Sequence, residues 1–131
     1  MKELIIKNKI LDRYDIHKRT LPWRKKTSLN KKQYYTLVSE FMLQQTQVVT
    51  VIPYFHRFIK HIPNLEALAK YDDQKLIKLW EGLGYYSRVR NLKKTAQVII
   101  KDFNKKLPDN FLDLKSLPGI GDYTASAISA I

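Results

Sequence analysis

Glu40 stands in the stretch Ser39 to Gln47, SEFMLQQTQ, where neither Gly nor Pro interrupts a helix and where Leu37, Leu43 and Gln44 share its face. A carboxylate in an apolar stripe must be paired, neutralised by a raised pKa, or open to a cavity that uses it. The last arrangement suits general acid chemistry; an ion pair with Lys or Arg of another helix is the plainer alternative. A second constellation is LPGIG, Leu117 to Gly121. Pro118 cannot continue the helix that Asn110 caps, Gly119 and Gly121 tolerate positive φ, and a new helix starts at once, leaving its first amides directed at whatever approaches. That geometry holds a phosphate without reading sequence, although a lone Gly-x-Gly between helices is more often only a turn. A third feature is basic charge, with seven basic residues and no acid in Lys18 to Lys32, and four and no acid in Arg88 to Lys94. Such clusters fit a polyanion; a solvated Lys-rich face and a membrane surface are the competing explanations.

The elements that must hold these groups are helical throughout. Ile6, Ile10 and Tyr14 mark a first helix, and Leu37, Val38 and Phe41 a second. Val51, Phe55, Phe58 and Ile62 predict a third, with Thr50 as its cap so that Pro53 falls where a helix has just begun. Leu65, Leu68 and Ala69 form a short helix after Pro63. Asp72 or Asp73 caps another, with Leu76, Leu79 and Trp80 on its face and Gly82 as its stop. Tyr85, Val89, Leu92, Ala96, Ile99 and Phe103 give the cleanest amphipathic pattern, and Ile120, Thr124, Ala127, Ile128 and Ile131 line the last helix. No strand-like alternation of useful length, repeat or low-complexity linker interrupts this all-α pattern.

Composition narrows the classes. The 131 residues suit one domain, and 44% apolar content is enough to close a core. The absence of Cys removes disulfides and thiolate-held zinc or iron–sulfur sites, and three scattered His do not make a metal centre. The N-terminus breaks its apolar residues with charge every few positions, and no run is long enough to span a membrane. This predicts a cytoplasmic, nucleoid-associated location. Lys and Arg outnumber Asp and Glu 24 to 12, a net charge of +12.

The motifs LPWR, SEFMLQQTQV, VIPYFHRF, LWEGLGYYSRVRNL and LPGIGDYTASAI occur in an order and approximate spacing that resembles the adenine DNA glycosylases. These remove adenine mispaired with guanine or 8-oxoguanine. The resemblance covers most of residues 19 to 131. It implies a helix-hairpin-helix DNA glycosylase fold in which residues 1 to 131 form the first helix plus the six-helix barrel, with the hairpin at about 110 to 131. It also implies base excision repair by base flipping, with double-stranded DNA carrying an A:G or A:8-oxoguanine mismatch as partner.

Roles follow by the same resemblance. Glu40 matches the catalytic acid, and a carboxyl held among Leu37 and Leu43 would have its pKa raised toward the working pH. Gln45 and Tyr85 match the side chains that wedge into the base stack, although Tyr85 could equally open the apolar stripe of its helix. Arg19, Trp23, Arg24 and Leu43 resemble the adenine pocket; Trp23 read alone is a core anchor. Leu83 matches a residue near the orphaned guanine, Arg88 and Arg90 belong to the DNA-facing basic cluster, and Gly119 and Gly121 would hold phosphate. Tyr123 occupies the hairpin position at which lyase-competent relatives such as endonuclease III carry a nucleophilic Lys, so β-lyase chemistry by that route is not expected.

The resemblance departs in two ways. The family's catalytic Asp and its four cluster-binding Cys are expected beyond Ile131, so the chain is read as truncated before the iron–sulfur half, without a cofactor or a metal of its own. The segment KKTSLNKKQYYTLV is slightly longer than usual, which affects a loop beside the pocket. The 131-residue chain is accordingly expected to release adenine very slowly by itself, and to expose an apolar patch at Ile128 and Ile131. A helix-hairpin-helix DNA-binding module without catalysis is the alternative from another class, and an endonuclease III-like enzyme a further one.

Overall fold

Seven α-helices and a short 3-10 turn account for the regular structure of residues 21–131, the part of the chain that the computed structural model describes, and no strand occurs among them. The predicted first helix and Arg19 lie outside these residues. The 3-10 turn, Pro22–Arg24, leads into α1, Leu29–Leu43, followed by α2, Val48–His61. Next come α3, Leu65–Lys70, and α4, Asp73–Trp80. The chain then forms α5, Ser87–Asp102, α6, Phe111–Lys115, and α7, Asp122–Ser129.

Local chemistry explains most boundaries. Ser28, Asn64, Asp72 and Asn110 each accept a hydrogen bond from the backbone N–H three residues on, satisfying an amide that the first turn leaves unpaired. Thr50 does not cap α2. The helix begins two residues earlier, at Val48, with Gln47 at its N-cap and no side-chain cap, so Pro53 lies inside it. The ring removes one ladder bond there, and α2 is held instead by its buried face of Val51, Phe55 and Phe58.

Helix α1 is the hub. Tyr34, Leu37, Val38, Ser39, Phe41 and Met42 are buried, and the helix packs on α2, α5, α7 and the 3-10 turn. Phe58 and Trp80 meet edge to face at 6.1 Å. The Tyr34 hydroxyl donates to the Ile62 carbonyl at 2.6 Å inside this core, and burial raises the Tyr34 pKa, with Tyr35 adding to the shift. Helix α5 buries Val89, Leu92, Thr95, Ala96 and Ile99, as its periodicity predicts. Tyr85 is not part of that stripe: it precedes α5 and is 63% exposed. Ile128 also departs from expectation, because α7 folds back on α1 and buries it, leaving Ile131 as the partly exposed member of that face.

Candidate nucleic-acid interface and active site

The hairpin between α6 and α7 sits against the end of α1 that carries Glu40. Gln44 Nε2 donates to the Gly119 carbonyl at 3.4 Å, and Thr95 of α5 donates its hydroxyl to the Pro118 carbonyl at 2.7 Å. Gly119 has a φ of 75°, and a Cβ there would lie 3.1 Å from a ring carbon of Phe41, the residue after Glu40. The turn therefore has to be glycine for two reasons, conformation and close approach. Gly121 is different. Its φ is −92° with extended ψ, it is the N-cap of α7, and open space surrounds the place where a Cβ would project. At this end Asp122 pairs with Lys115 at 2.8 Å, so the first turn of α7 already carries a carboxylate, itself balanced by a cation.

Glu40 lies three residues before the end of α1, half-buried. Burial raises its pKa, and the positive charge of Arg24 partly opposes that rise. The two ion pairs closed among the described residues are Lys93–Asp73 and Lys115–Asp122, and Glu40 is in neither. A carboxyl whose charged form is disfavoured by its surroundings holds its proton to higher pH than a solvated one, which favours a general acid role. Arg24 is exposed at the close of the 3-10 turn. Leu43 is half-buried on the core.

Two exposed side chains flank this end of the molecule on loops that both adopt the left-handed conformation. Gln45 has a φ of 63° and Tyr85 of 49°, positions uncommon for residues with a Cβ and worth attention at functional sites. Leu83 is buried between them in sequence, in the loop that leads to Tyr85. Tyr123, in the first turn of α7, is 77% exposed.

Two further candidate site residues are buried. Trp23 is 3% exposed and packs edge-on against Phe55 at 5.3 Å, a core anchor here rather than an open stacking face. Arg88 does not join the DNA-facing cluster. It faces inward from the first turn of α5, is 6% exposed, and spends its guanidinium on backbone carbonyls at the end of α1 and in the loop before Tyr85. Burial lowers its pKa, with Tyr85 acting the other way, and a guanidinium stays charged under such shifts. The sequence signal was ambiguous because an Arg of a basic run and an Arg capping a neighbouring helix look alike in one dimension. Lys93 is also engaged, bonded to Asp73 and donating to the Tyr71 carbonyl at 2.7 Å. Of the four cations in this run, Arg90 and Lys94 are the exposed ones. Gln44, read from sequence only as a neighbour of Glu40 on its helix face, and Thr95, which was not singled out, hold the hairpin; polar residues on the inner side of α1 and α5 were the available signal.

No Cys occurs in the chain, so its residues do not fit a thiolate-held iron–sulfur cluster. Among the described residues no group of three or more His, Cys, Asp or Glu is arranged to hold a metal, and no helix is long and apolar enough to cross a membrane.

Glu40 is thus a half-buried carboxyl on α1, the helix against which α7 of the hairpin packs, in an all-helical scaffold. The chain belongs to the HhH-GPD superfamily of base excision DNA repair proteins, whose family model matches residues 38–127. It is similar to the adenine DNA glycosylase of Buchnera aphidicola from Baizongia pistaciae, at 45% identity over 98% of this chain and 36% of that protein. It is 44% identical to the adenine DNA glycosylase of Rattus norvegicus over 93% of this chain and 25% of the rat protein. The chain thus spans about a third or less of these relatives' lengths. Among solved structures, a thermostable thymine-DNA glycosylase matches with a TM-score of 0.77 at 26% identity, over 98% of this chain and 58% of that one. Endonuclease III in a non-covalent DNA complex shares the fold, with a TM-score of 0.72 at 18% identity over 93% of this chain and 58% of that one.

Proposed function

We propose that this chain is the part of an adenine DNA glycosylase that engages duplex DNA and supplies the general acid for removing adenine opposite guanine or 8-oxoguanine. The observation that carries this reading is Glu40, a half-buried carboxyl with a burial-raised pKa one helical turn before Gln44, which bonds the Gly119 carbonyl, in a chain similar throughout to adenine DNA glycosylases. In this reading the hairpin amides hold a phosphate, and Arg90 and Lys94 attract the backbone. Gln45 and Tyr85 fill the gap left by the extruded adenine. Glu40 gives its proton to a ring nitrogen of the base, the bond from the sugar C1′ breaks with its electron pair leaving on the base, and water adds to C1′ and releases a proton. Tyr123 offers no amine at the hairpin position, so Schiff-base chemistry by that route is not expected and the product is an abasic site.

The test is binding and release with one duplex that holds adenine opposite 8-oxoguanine. Affinity should fall roughly a hundredfold between 50 and 200 mM salt if about four phosphates are neutralised. Arg90→Glu and Lys94→Glu should weaken binding to all sequences alike. With protein in excess, free adenine should accumulate without a borohydride-trapped intermediate. Salt-independent affinity would overturn the DNA reading. Trapping by borohydride would point to a lysine nucleophile instead, and tight binding without any adenine release over days would leave a binding module.

A further inference from the structure

One buried cation ties together the two loops that carry Gln45 and Tyr85. The two protons of Arg88 Nη1 are shared among the carbonyls of Met42 at 2.9 Å and Phe41 at 3.4 Å, the Gln44 carbonyl, and Thr46 Oγ1 at 3.1 Å. Nη2 donates to the carbonyls of Leu83 at 3.0 Å and Gly84 at 3.1 Å. The guanidinium lies 5.5 Å from the ring centres of both Trp80 and Tyr85. Its acceptors on one side are the carbonyls that end α1, where the helix dipole is negative and the backbone leaves acceptors unpaired. On the other side they are the two residues leading into Tyr85.

Four non-glycine residues among those described have positive φ, and two of them are Gln45 and Tyr85. Each directly follows a carbonyl that Arg88 holds, Gln44 in one loop and Gly84 in the other. A left-handed conformation at a residue with a Cβ persists only where its surroundings over-determine it. The fork of the guanidinium, with separate nitrogens for the two loops, can do this; a lysine ammonium, a single point of charge, cannot span both.

We infer that Arg88 is a positioning residue that fixes the spacing and backbone conformation of Gln45 and Tyr85, so that the two side chains enter DNA as one preset pair. This rests on the proposed function above for what the pair does, but the coupling itself is a property of the free protein. Rigid presentation matters because a wedge that had to be ordered on contact would spend binding energy on its own loops instead of on unstacking the base.

The chain lacks Cys, so Gln45→Cys/Tyr85→Cys can carry two nitroxide labels and their separation can be read by pulsed electron paramagnetic resonance without DNA. A narrow distance distribution is expected with Arg88 and one at least twice as wide with Arg88→Lys, at unchanged helix content. An equally narrow distribution in folded Arg88→Lys overturns the inference. Should Arg88→Lys not fold, Thr46→Val decides, since it removes one acceptor of the same nitrogen: broadening supports the coupling and an unchanged width refutes it. A second readout uses 2-aminopurine in place of the target adenine. Arg88→Lys should cut the unstacking signal about fivefold while non-specific duplex affinity changes by less than twofold. In the Gln45→Ala/Tyr85→Ala background the same change should do nothing more. A further loss in that background would mean a general structural role. If the label distances respond but even the native protein gives no 2-aminopurine signal, the base-extrusion reading fails and the clamp stands.

Discussion

Glu40→Gln should lower adenine release by about a hundredfold to ten-thousandfold, the range a positioned general acid contributes, while duplex affinity stays within about twofold. The substitution keeps the shape and removes the proton. Because burial raises the Glu40 pKa, the acid form persists above the ordinary carboxylate range, and the native rate should fall as pH rises through the raised value. The residual rate of the Gln variant should be flat over the same interval. The two pH profiles therefore converge at high pH and separate as pH falls. A native profile without that descending limb, or a Gln variant as fast as the native chain, would remove Glu40 from the chemistry.

The same substitution has an opposite effect on stability, and the sign follows from the same shift. A folded-state pKa above the unfolded one means that the folded chain binds the proton more readily. The stability this group contributes is fully present below the unfolded value, near the ordinary Glu pKa of about 4.3, and is lost as pH rises through the folded value. Gln carries no such loss. The melting temperature of Glu40→Gln should thus exceed that of the native chain at neutral pH, and the gap should close on acidification. Arg24 reduces the gap, because its charge opposes the rise; Arg24→Gln should widen it. A gain in stability coupled to a loss of activity is the behaviour of a group kept for function at a folding cost.

The helices were legible in the sequence because apolar period and caps agree: Asp72 and Asn110 cap where their side chains predict. Thr50 misled because cap preference is a weak local term, and the apolar face of Val51, Phe55 and Phe58 sets the extent of α2 instead. Tyr85 was ambiguous because four-residue spacing to Val89 is a property of the string, whereas the left-handed φ that removes it from the helix depends on contacts with α1 through Arg88. Glu40 was legible as a carboxylate on an apolar face. That its helix meets the hairpin required the pairing of α1 with α7, a contact between residues about eighty positions apart that no local pattern encodes. The two hairpin glycines were equivalent in sequence and are not equivalent in space.

That difference predicts that Gly119→Ala and Gly121→Ala fail in different assays. At Gly119 a Cβ would sit in a left-handed conformation, 2.9 Å from Asn91 Cβ and 3.1 Å from both Asn91 Nδ2 and Phe41 Cε1. The conformation costs about 1–2 kcal/mol and forcing the contacts about 1–3 kcal/mol more. Together these should lower the melting temperature by about ten degrees or more, with DNA binding lost only as folding is lost. At Gly121 the backbone is one that Ala adopts, and nothing lies within reach of a Cβ. Ala is a somewhat poorer N-cap than Gly, but it also restricts the unfolded chain, which offsets much of that. Stability should therefore stay within about 0.5 kcal/mol of the native chain. If a phosphate oxygen approaches the first amides of α7, as proposed above, the new methyl would crowd it. Losing one charge-assisted hydrogen bond there, about 1.5–3 kcal/mol, should weaken duplex binding about tenfold to hundredfold, equally for matched and mismatched DNA. Native affinity in Gly121→Ala would show that the hairpin amides do not hold the backbone. Native melting in Gly119→Ala would show that the turn has room to move off Phe41, and with it that the hairpin does not fix the end of α1 on which Glu40 depends.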